Sequence, residues 1–181
     1  MLIGLEVILM HIIKILNDFK EYAHAKSENI CKVINTYNHP YLLSNITTSE
    51  PNIIAFKFTS EDGLLAHNSH YGTFYDNICE FNINFQIFII SLVINSNDYD
   101  AYNRMLTLYS LLKEFLHNRV NKYTVKDAHE PDYIKHLNIY IRPTSNMQNT
   151  GLITLGTKCS NTAYSSSASF KAGIQIFERK E

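Results

Sequence analysis

The sequence predicts an α+β fold: a two-layer sandwich with a mainly antiparallel sheet and two main helices packed on one face. Two patterns between Glu80 and Phe115 support it. Apolar residues alternate with Glu80, Asn82 and further amides over residues 81–89, which is typical of a half-buried strand. A polar break follows, and apolar residues then recur at helical spacing: Tyr102, Met105, Leu106, Tyr109, Leu112 and Leu116. Strands combined with helices on one face form such a sandwich.

The first predicted element is a helix from about Leu5 to Asn35, with a break near Ala25–Asn29. Its apolar stripe comprises Leu5, Leu9, Ile12, Ile13, Leu16, Phe19 and Ala23. Pro40 disfavours helical geometry at the residue before it. A short strand is predicted at Ile53–Phe58, with Ile54, Phe56 and Phe58 on one face, and a turn at Ser60–Gly63.

The remaining elements have weaker patterns. Leu64–Asn77 has no period and is expected to be a long connection, a kind of segment that is commonly functional or interfacial. Val120–Pro131 is predicted to be a polar loop, and Leu137–Ile141 alternates as a strand. Leu152–Thr157 and Phe170–Phe177 are predicted to be two further strands. The connection between them, Ser160–Ser169, is rich in small polar residues and is expected to be mobile.

Bulk properties favour one domain spanning residues 1–181. The net charge of -1 argues against a nucleic-acid binder, and we interpret the basic stretch Arg119–Lys126 as a solvated helix end. The apolar N-terminus lacks a basic leading region and carries Glu6 and Lys14, so we expect neither secretion nor a membrane anchor. The three cysteines form no CxxC pair and are expected to be buried, reduced thiols.

No motif carries obvious chemistry. His67 and His70 form a close histidine pair that would bind zinc if a third ligand joined them, but the HxxH spacing lacks the glutamate of a metallohydrolase helix. The six glycines form no phosphate-binding loop, and no serine lies in a GxSxG elbow. We therefore predict no catalytic residue, no cofactor and no bound metal.

Aromatic and apolar residues supply the candidate interface instead. Tyr71, Phe74 and Tyr75 are suited to stacking on a base or saccharide, to a protein interface, or to covering the edge of the core. The second face of the long strand becomes apolar at Phe88 and Ile90, which indicates either a position in the middle of the sheet or a contact with another subunit.

The order of these elements resembles that of phage tail-terminator (tail-completion) proteins. The resemblance lies in the long strand FNINFQIFII, the polar segment NSNDYD and the helix AYNRMLTLYSLLKEFL. No signature residue accompanies it, and the chain has extra length around Leu64–Asn77 and Ser160–Ser169. The composition also resembles that of plasmid-borne prophage proteins of spirochaetes such as Borrelia.

The resemblance implies a structural protein that forms a ring, expected to be hexameric, at the end of the tail tube. Its partners would be other copies of itself, the tail-tube protein and head-completion proteins, with no nucleic acid and no membrane. It would occupy the host cytoplasm during assembly and then the virion tail. The ring contacts are expected at Phe88 and Ile90, in Leu64–Tyr75 and on a sheet edge near the C-terminus. The alternatives are a neck or connector protein of the same virion, and a small metal-dependent hydrolase that uses His67 and His70.

Overall fold

A computed structural model describes residues 5–27, 31–34, 47–67, 77–126, 133–155 and 161–180. The elements in chain order are α1 (Leu5–Ser27), β1 (Cys31–Ile34), β2 (Asn52–His67), β3 (Asn77–Leu92), α2 (Asp98–Leu116), β4 (Val120–Lys126), β5 (Tyr133–Pro143), β6 (Gln148–Leu155) and β7 (Asn161–Lys180). Helices and a mixed sheet occur together, so the chain has an α+β fold.

The described strands form one sheet in the order β1-β2-β3-β7-β5-β4, and β6 also pairs with β7. β1 and β2 are parallel, whereas every other pair is antiparallel. β3 and β7 pair without a register shift from Asn77–Glu178 to Leu92–Ala163. The C-terminal strand β7 is therefore interior: β3 lies on one side of it, and β5 and β6 lie on the other.

The main core contains residues of both helices and of one face of the central strands. Because side chains in a strand alternate between faces, β3 contributes its odd-numbered residues and β7 its even-numbered ones. The strand residues in this core are Cys31 from β1, Ile54 and Phe56 from β2, Phe81, Ile83, Phe85, Ile87 and Ile89 from β3, Leu137, Ile139 and Ile141 from β5, and Ala168, Phe170, Ala172, Ile174 and Ile176 from β7. Phe85 and Phe170 face each other across the ladder, and their rings stack at 5.9 Å.

The first predicted helix is confirmed, but it ends at Ser27, and Cys31–Ile34 forms β1 instead of continuing it. Four residues of the predicted stripe are fully buried (Ile12, Leu16, Phe19 and Ala23), together with Ile8 and Ile15, which the prediction left out. The predicted long strand and its helix are confirmed as β3 and α2.

The predicted turn at Ser60–Gly63 is wrong, because β2 continues through it to His67. Register shifts between Phe58 and Ser60, and between Asp62 and Leu65, allow the strand to keep pairing with β3. A short polar stretch followed by glycine is compatible with such irregularities as well as with a turn.

The predicted loop at Val120–Pro131 is also wrong over the part that the structure describes. Residues 120–126 form the edge strand β4, so the basic stretch is not a helix end. Asn121 is buried and Tyr123 half-buried on one face of β4, whereas Lys122 and Thr124 are exposed on the other. An edge strand with a solvated face has little need for apolar residues, which explains why its sequence is typical of a loop.

The Ser-rich segment expected to be mobile forms the first half of β7 wherever the structure describes it. Ser165 and Ser166 are 2% and 1% exposed. Their backbone is paired on both sides, with β3 and with β6, so the ladder rather than side-chain burial orders the segment. Small residues fit here because large apolar neighbours such as Ile89 and Ile90 lie opposite them.

A smaller apolar cluster lies on the second face of the sheet, and its buried residues are Ile34, Ile53, Ala55, Ile90, Leu92 and Ala163. Beside it, the Ser91 hydroxyl donates a hydrogen bond of 2.8 Å to Asn52 Oδ1, and both residues are fully buried. The late apolar run of β3 thus crosses the interior of the sheet. This is the first of the two alternatives that the sequence left open for Phe88 and Ile90.

We predict that Gly173 is required because Tyr140 lies across it on the neighbouring strand. A Cβ at Gly173 would lie 2.0 Å from Tyr140 Cζ, so Gly173→Ala should destabilise the protein by about 1–3 kcal/mol in urea unfolding. In a Tyr140→Ala background the same change should be neutral or stabilising, since the ring is gone and alanine suits a strand better than glycine. Equal costs in both backgrounds would contradict this explanation.

Candidate interaction surfaces

The outer edge of β6 is open in the part of the chain that the structure describes. β5 and β6 follow one another along the same side of β7, and β4 pairs only with β5. The connection between β5 and β6 is fixed to β7, because Thr144 N donates to Ser169 O at 2.8 Å and Ser169 N donates to Ser145 Oγ at 2.9 Å. These bonds hold β6 in line with β5 and leave its far edge without a described strand partner.

The composition of β6 differs from that of the other edge strands. Its sequence, QNTGLITL, has no charged residue. By contrast β4 carries Lys122 and Lys126, β1 carries Lys32, and the irregular part of β2 carries Glu61 and Asp62. Charged residues on an edge, lysine above all, oppose pairing with another chain, so β6 is the described edge best suited to accept a further strand.

An aromatic patch accompanies this edge on the side of α2. Leu152 is 49% exposed and lies opposite Tyr164 on β7. The Tyr164 ring contacts Tyr102 of α2 edge-on, with 5.4 Å between centroids. One helical turn earlier, Tyr99 is 72% exposed. Tyrosine in such a setting is enriched at protein interfaces, because it buries a large ring and keeps a polar tip.

The turn that bears Tyr99, residues 95–100, is exposed but well anchored; we name it the Tyr99 turn. Asn97 caps α2, since its Oδ1 accepts a hydrogen bond from Asp100 N at 3.2 Å. One turn further, Arg104 donates to the carbonyl of Leu92 and so joins α2 to the end of β3. Burial lowers the pKa of Arg104, while Asp100 opposes that shift. Tyr99 thus lies between two aspartates on a turn whose backbone is anchored by these hydrogen bonds.

A cluster of cations lies at the opposite end of α2. Lys14 and Arg119 line an open pocket of about 280 Å³ together with Asp18 and Tyr123; Lys122 also borders it, but on β4 this residue belongs to the opposite, exposed face from Tyr123. We name this site the basic corner. It contains two cations, Lys14 and Arg119, and one carboxylate, so its net charge favours an anionic partner.

Arg119 is the best-fixed group of the basic corner. Its Nε donates to Asn121 Oδ1 at 2.8 Å, and its guanidinium lies 4.0 Å from the centroid of the Phe115 ring. Its Nη2 is 3.8 Å from Asp18 Oδ2, which makes an ion pair longer than a good hydrogen bond. Because the side chain is held in place, it would lose little freedom on binding a carboxylate.

His11 and Tyr123 form the floor beside this corner, with their rings stacked at 4.2 Å. Burial lowers the pKa of His11, and the nearby Lys14 lowers it further. For Tyr123, burial raises the pKa, Asp18 adds to the rise and Arg119 opposes it. Both shifts follow from the packing of α1 on β4.

The structure describes only two of the five predicted interface residues. Tyr71, Phe74 and Tyr75 lie outside the described residues. Ile90 is fully buried within one chain, so it offers no surface to a partner, and Phe88 is half-buried in the same cluster. The C-terminal strand β7 is interior and offers no edge, and β6 is the nearest described strand before it with an open edge.

Leu152, Tyr99 and Arg119 are not among the interface residues predicted from the sequence. The signal for Leu152 was the absence of charge from residues 148–155, and the signal for Tyr99 was an aromatic residue between two aspartates in a polar turn. The significance of Arg119 depends on α1 packing against β4, which no local pattern reveals.

The predicted histidine pair is not described as a site: His67 ends β2, its side chain is not described, and His70 lies outside the described residues. Among the described side chains, no group of three or more His, Cys, Asp or Glu residues is arranged to hold a metal ion. Neither described helix is long and apolar enough to cross a membrane. Burial raises the pKa of the Cys31 thiol to about 12, so this cysteine is an unreactive core residue.

A family model described as Borrelia burgdorferi protein of unknown function (DUF764) matches residues 1–181. The chain belongs to this family. No curated protein matches it. The description of DUF764 gives no activity, so the function of this member has to be argued from its own surfaces.

We predict that His11 makes the DUF764 chain sensitive to mild acid. Its pKa is lowered in the folded state from the ordinary 6.5, so the unfolded state binds the proton more readily. The stability that neutral His11 contributes is present above about pH 6.5 and is lost as the pH falls below that value. His11→Gln should flatten the decrease in melting temperature between about pH 7 and pH 5. The exposed His24 provides the control, because His24→Gln should leave the decrease unchanged.

Proposed function

We propose that this protein is a structural subunit that assembles with copies of itself into a ring. The ring would close the tail tube of a phage or prophage particle and join it to the head. The mechanism is steric and associative, with no bond made or broken. The partners are further copies of the chain, the tail-tube protein and head-completion proteins, first in the host cytoplasm and then in the virion tail.

The observation that carries this proposal is the uncharged outer edge of β6. A strand edge is a template for main-chain hydrogen bonds, and natural proteins usually guard such an edge with charge. Charged residues are present on β1, β2 and β4 of this chain, but β6 has none. Leu152, half-exposed beside this edge, adds apolar area that water would leave on association.

The long strand and capped helix agree with the tail-terminator resemblance. β3 and α2 are joined by a short turn and contribute to one core. For the domain as a whole we propose the two-layer sandwich, with both helices on one face of the sheet. In that arrangement the edges of the sheet remain available for contacts between subunits.

Light scattering coupled to size-exclusion chromatography tests self-association. The wild-type chain should form a closed oligomer at high concentration or when the tail-tube protein is added, and electron microscopy should show rings. A monomer under both conditions would overturn the proposal.

We predict that Leu152→Lys prevents assembly, because it places a charge beside the open edge of β6. The folded monomer should keep its melting temperature, since Leu152 is half-exposed. Ser110→Lys is the matched control: it adds the same charge on the exposed surface of α2, away from the edge, and should assemble as the wild type does. Equal assembly of the two variants would show that β6 does not lie in the interface.

A further inference from the structure

We propose that the Tyr99 turn of one copy docks in the basic corner of the next copy. The Tyr99 ring lies in this open pocket, and the carboxylates of Asp98 and Asp100 face Lys14 and Arg119. This inference rests on the proposed self-assembly and names the two surfaces that meet in it.

The basic corner has the shape and charge for this occupant. It is an open pocket of about 280 Å³, which is wide enough for one large side chain. The Nζ atom of Lys14 lies 5.6 Å from the centroid of the Tyr123 ring, so a cation already faces an aromatic ring there. An entering tyrosine ring would meet further cations in the same way, and cation–π contacts of this kind are favourable.

The Tyr99 turn has the complementary charge. Asp98 and Asp100 flank the tyrosine, and residues 95–100 are all exposed. The aspartates also favour the N-terminus of α2 through the helix dipole, but that role does not require a tyrosine that is 72% exposed between them. Tyrosine is enriched among interface hot spots, and this one is exposed on a fixed turn between two charged residues.

The occupant must come from a second copy. α2 has 19 residues and separates the Tyr99 turn from the basic corner by about 28 Å, so a chain cannot fill its own cavity. Contacts between two different patches on identical subunits are heterologous, and they close into a ring when the rotation between subunits permits. The Tyr99 turn also lies at the end of α2 where Tyr102 contacts Tyr164, next to the uncharged edge of β6.

Charge reversal tests the pairing directly. One variant carries Lys14→Glu and Arg119→Glu, which reverse the corner, and the other carries Asp98→Lys and Asp100→Lys, which reverse the turn. Each alone should need a concentration at least about tenfold higher to assemble, because like charges now meet. Mixed in equal amounts, the two variants should assemble again. The acidic turn of the first fits the basic corner of the second, and the two reversed surfaces also carry opposite charges.

Two controls accompany the test. Lys57→Glu with Lys113→Glu changes the net charge by the same amount on exposed positions outside the corner, and this variant should assemble as the wild type does. Tyr99→Ala should weaken assembly, whereas Tyr99→Phe should preserve most of it. Circular dichroism checks that each variant is folded.

The outcomes separate the two proposals. If the wild type assembles but charge reversal has no effect, or if the mixture fails to recover, the docking of Tyr99 is wrong and self-assembly stands. If the wild type never assembles, with or without the tail-tube protein, both proposals fail.

Discussion

The ladder between β3 and β7 is the constraint on which the rest of the structure depends. It runs unbroken from Asn77–Glu178 to Leu92–Ala163, and every other strand pairs with one of these two strands or with a neighbour of theirs. A slip of one residue would move Phe85 and Phe170 from the helix-covered face to the opposite face. Register is therefore strongly specified by the core, although the serines of β7 contribute little apolar area themselves.

This ladder also determines which surfaces remain open. Since β7 uses both of its edges, β5 and β6 must share one side of it, and β4 covers only β5. Among the described strands, the uncharged β6 thus becomes an edge as a consequence of topology. In the same way, α2 runs from the end of β3 to the start of β4, which puts the acidic Tyr99 turn and the basic corner at its two ends.

The sequence predicted the parts of the fold in which apolar periodicity is strong. α1, β3 and α2 have clear stripes, and their cores were largely identified in advance. The elements that it missed, β4 and the first half of β7, are rich in polar or small residues, because their order comes from backbone pairing with strands distant in sequence. The candidate surfaces were harder still, since Arg119, Lys14 and Asp18 meet only after α1 packs beside β4.

The two proposed contacts would do different physical work in an assembly. Main-chain hydrogen bonds along β6 are available to almost any extended segment, so alone they would give affinity without a defined register and would favour aggregation. Opposite charges at the Tyr99 turn and the basic corner would fix the register, because misaligned copies would bring like charges together. An edge without charge is therefore tolerable where a second, charged contact selects the partner. In this proposal the acidic Tyr99 turn and the basic corner, which lie at the two ends of α2, limit aggregation through the open edge of β6.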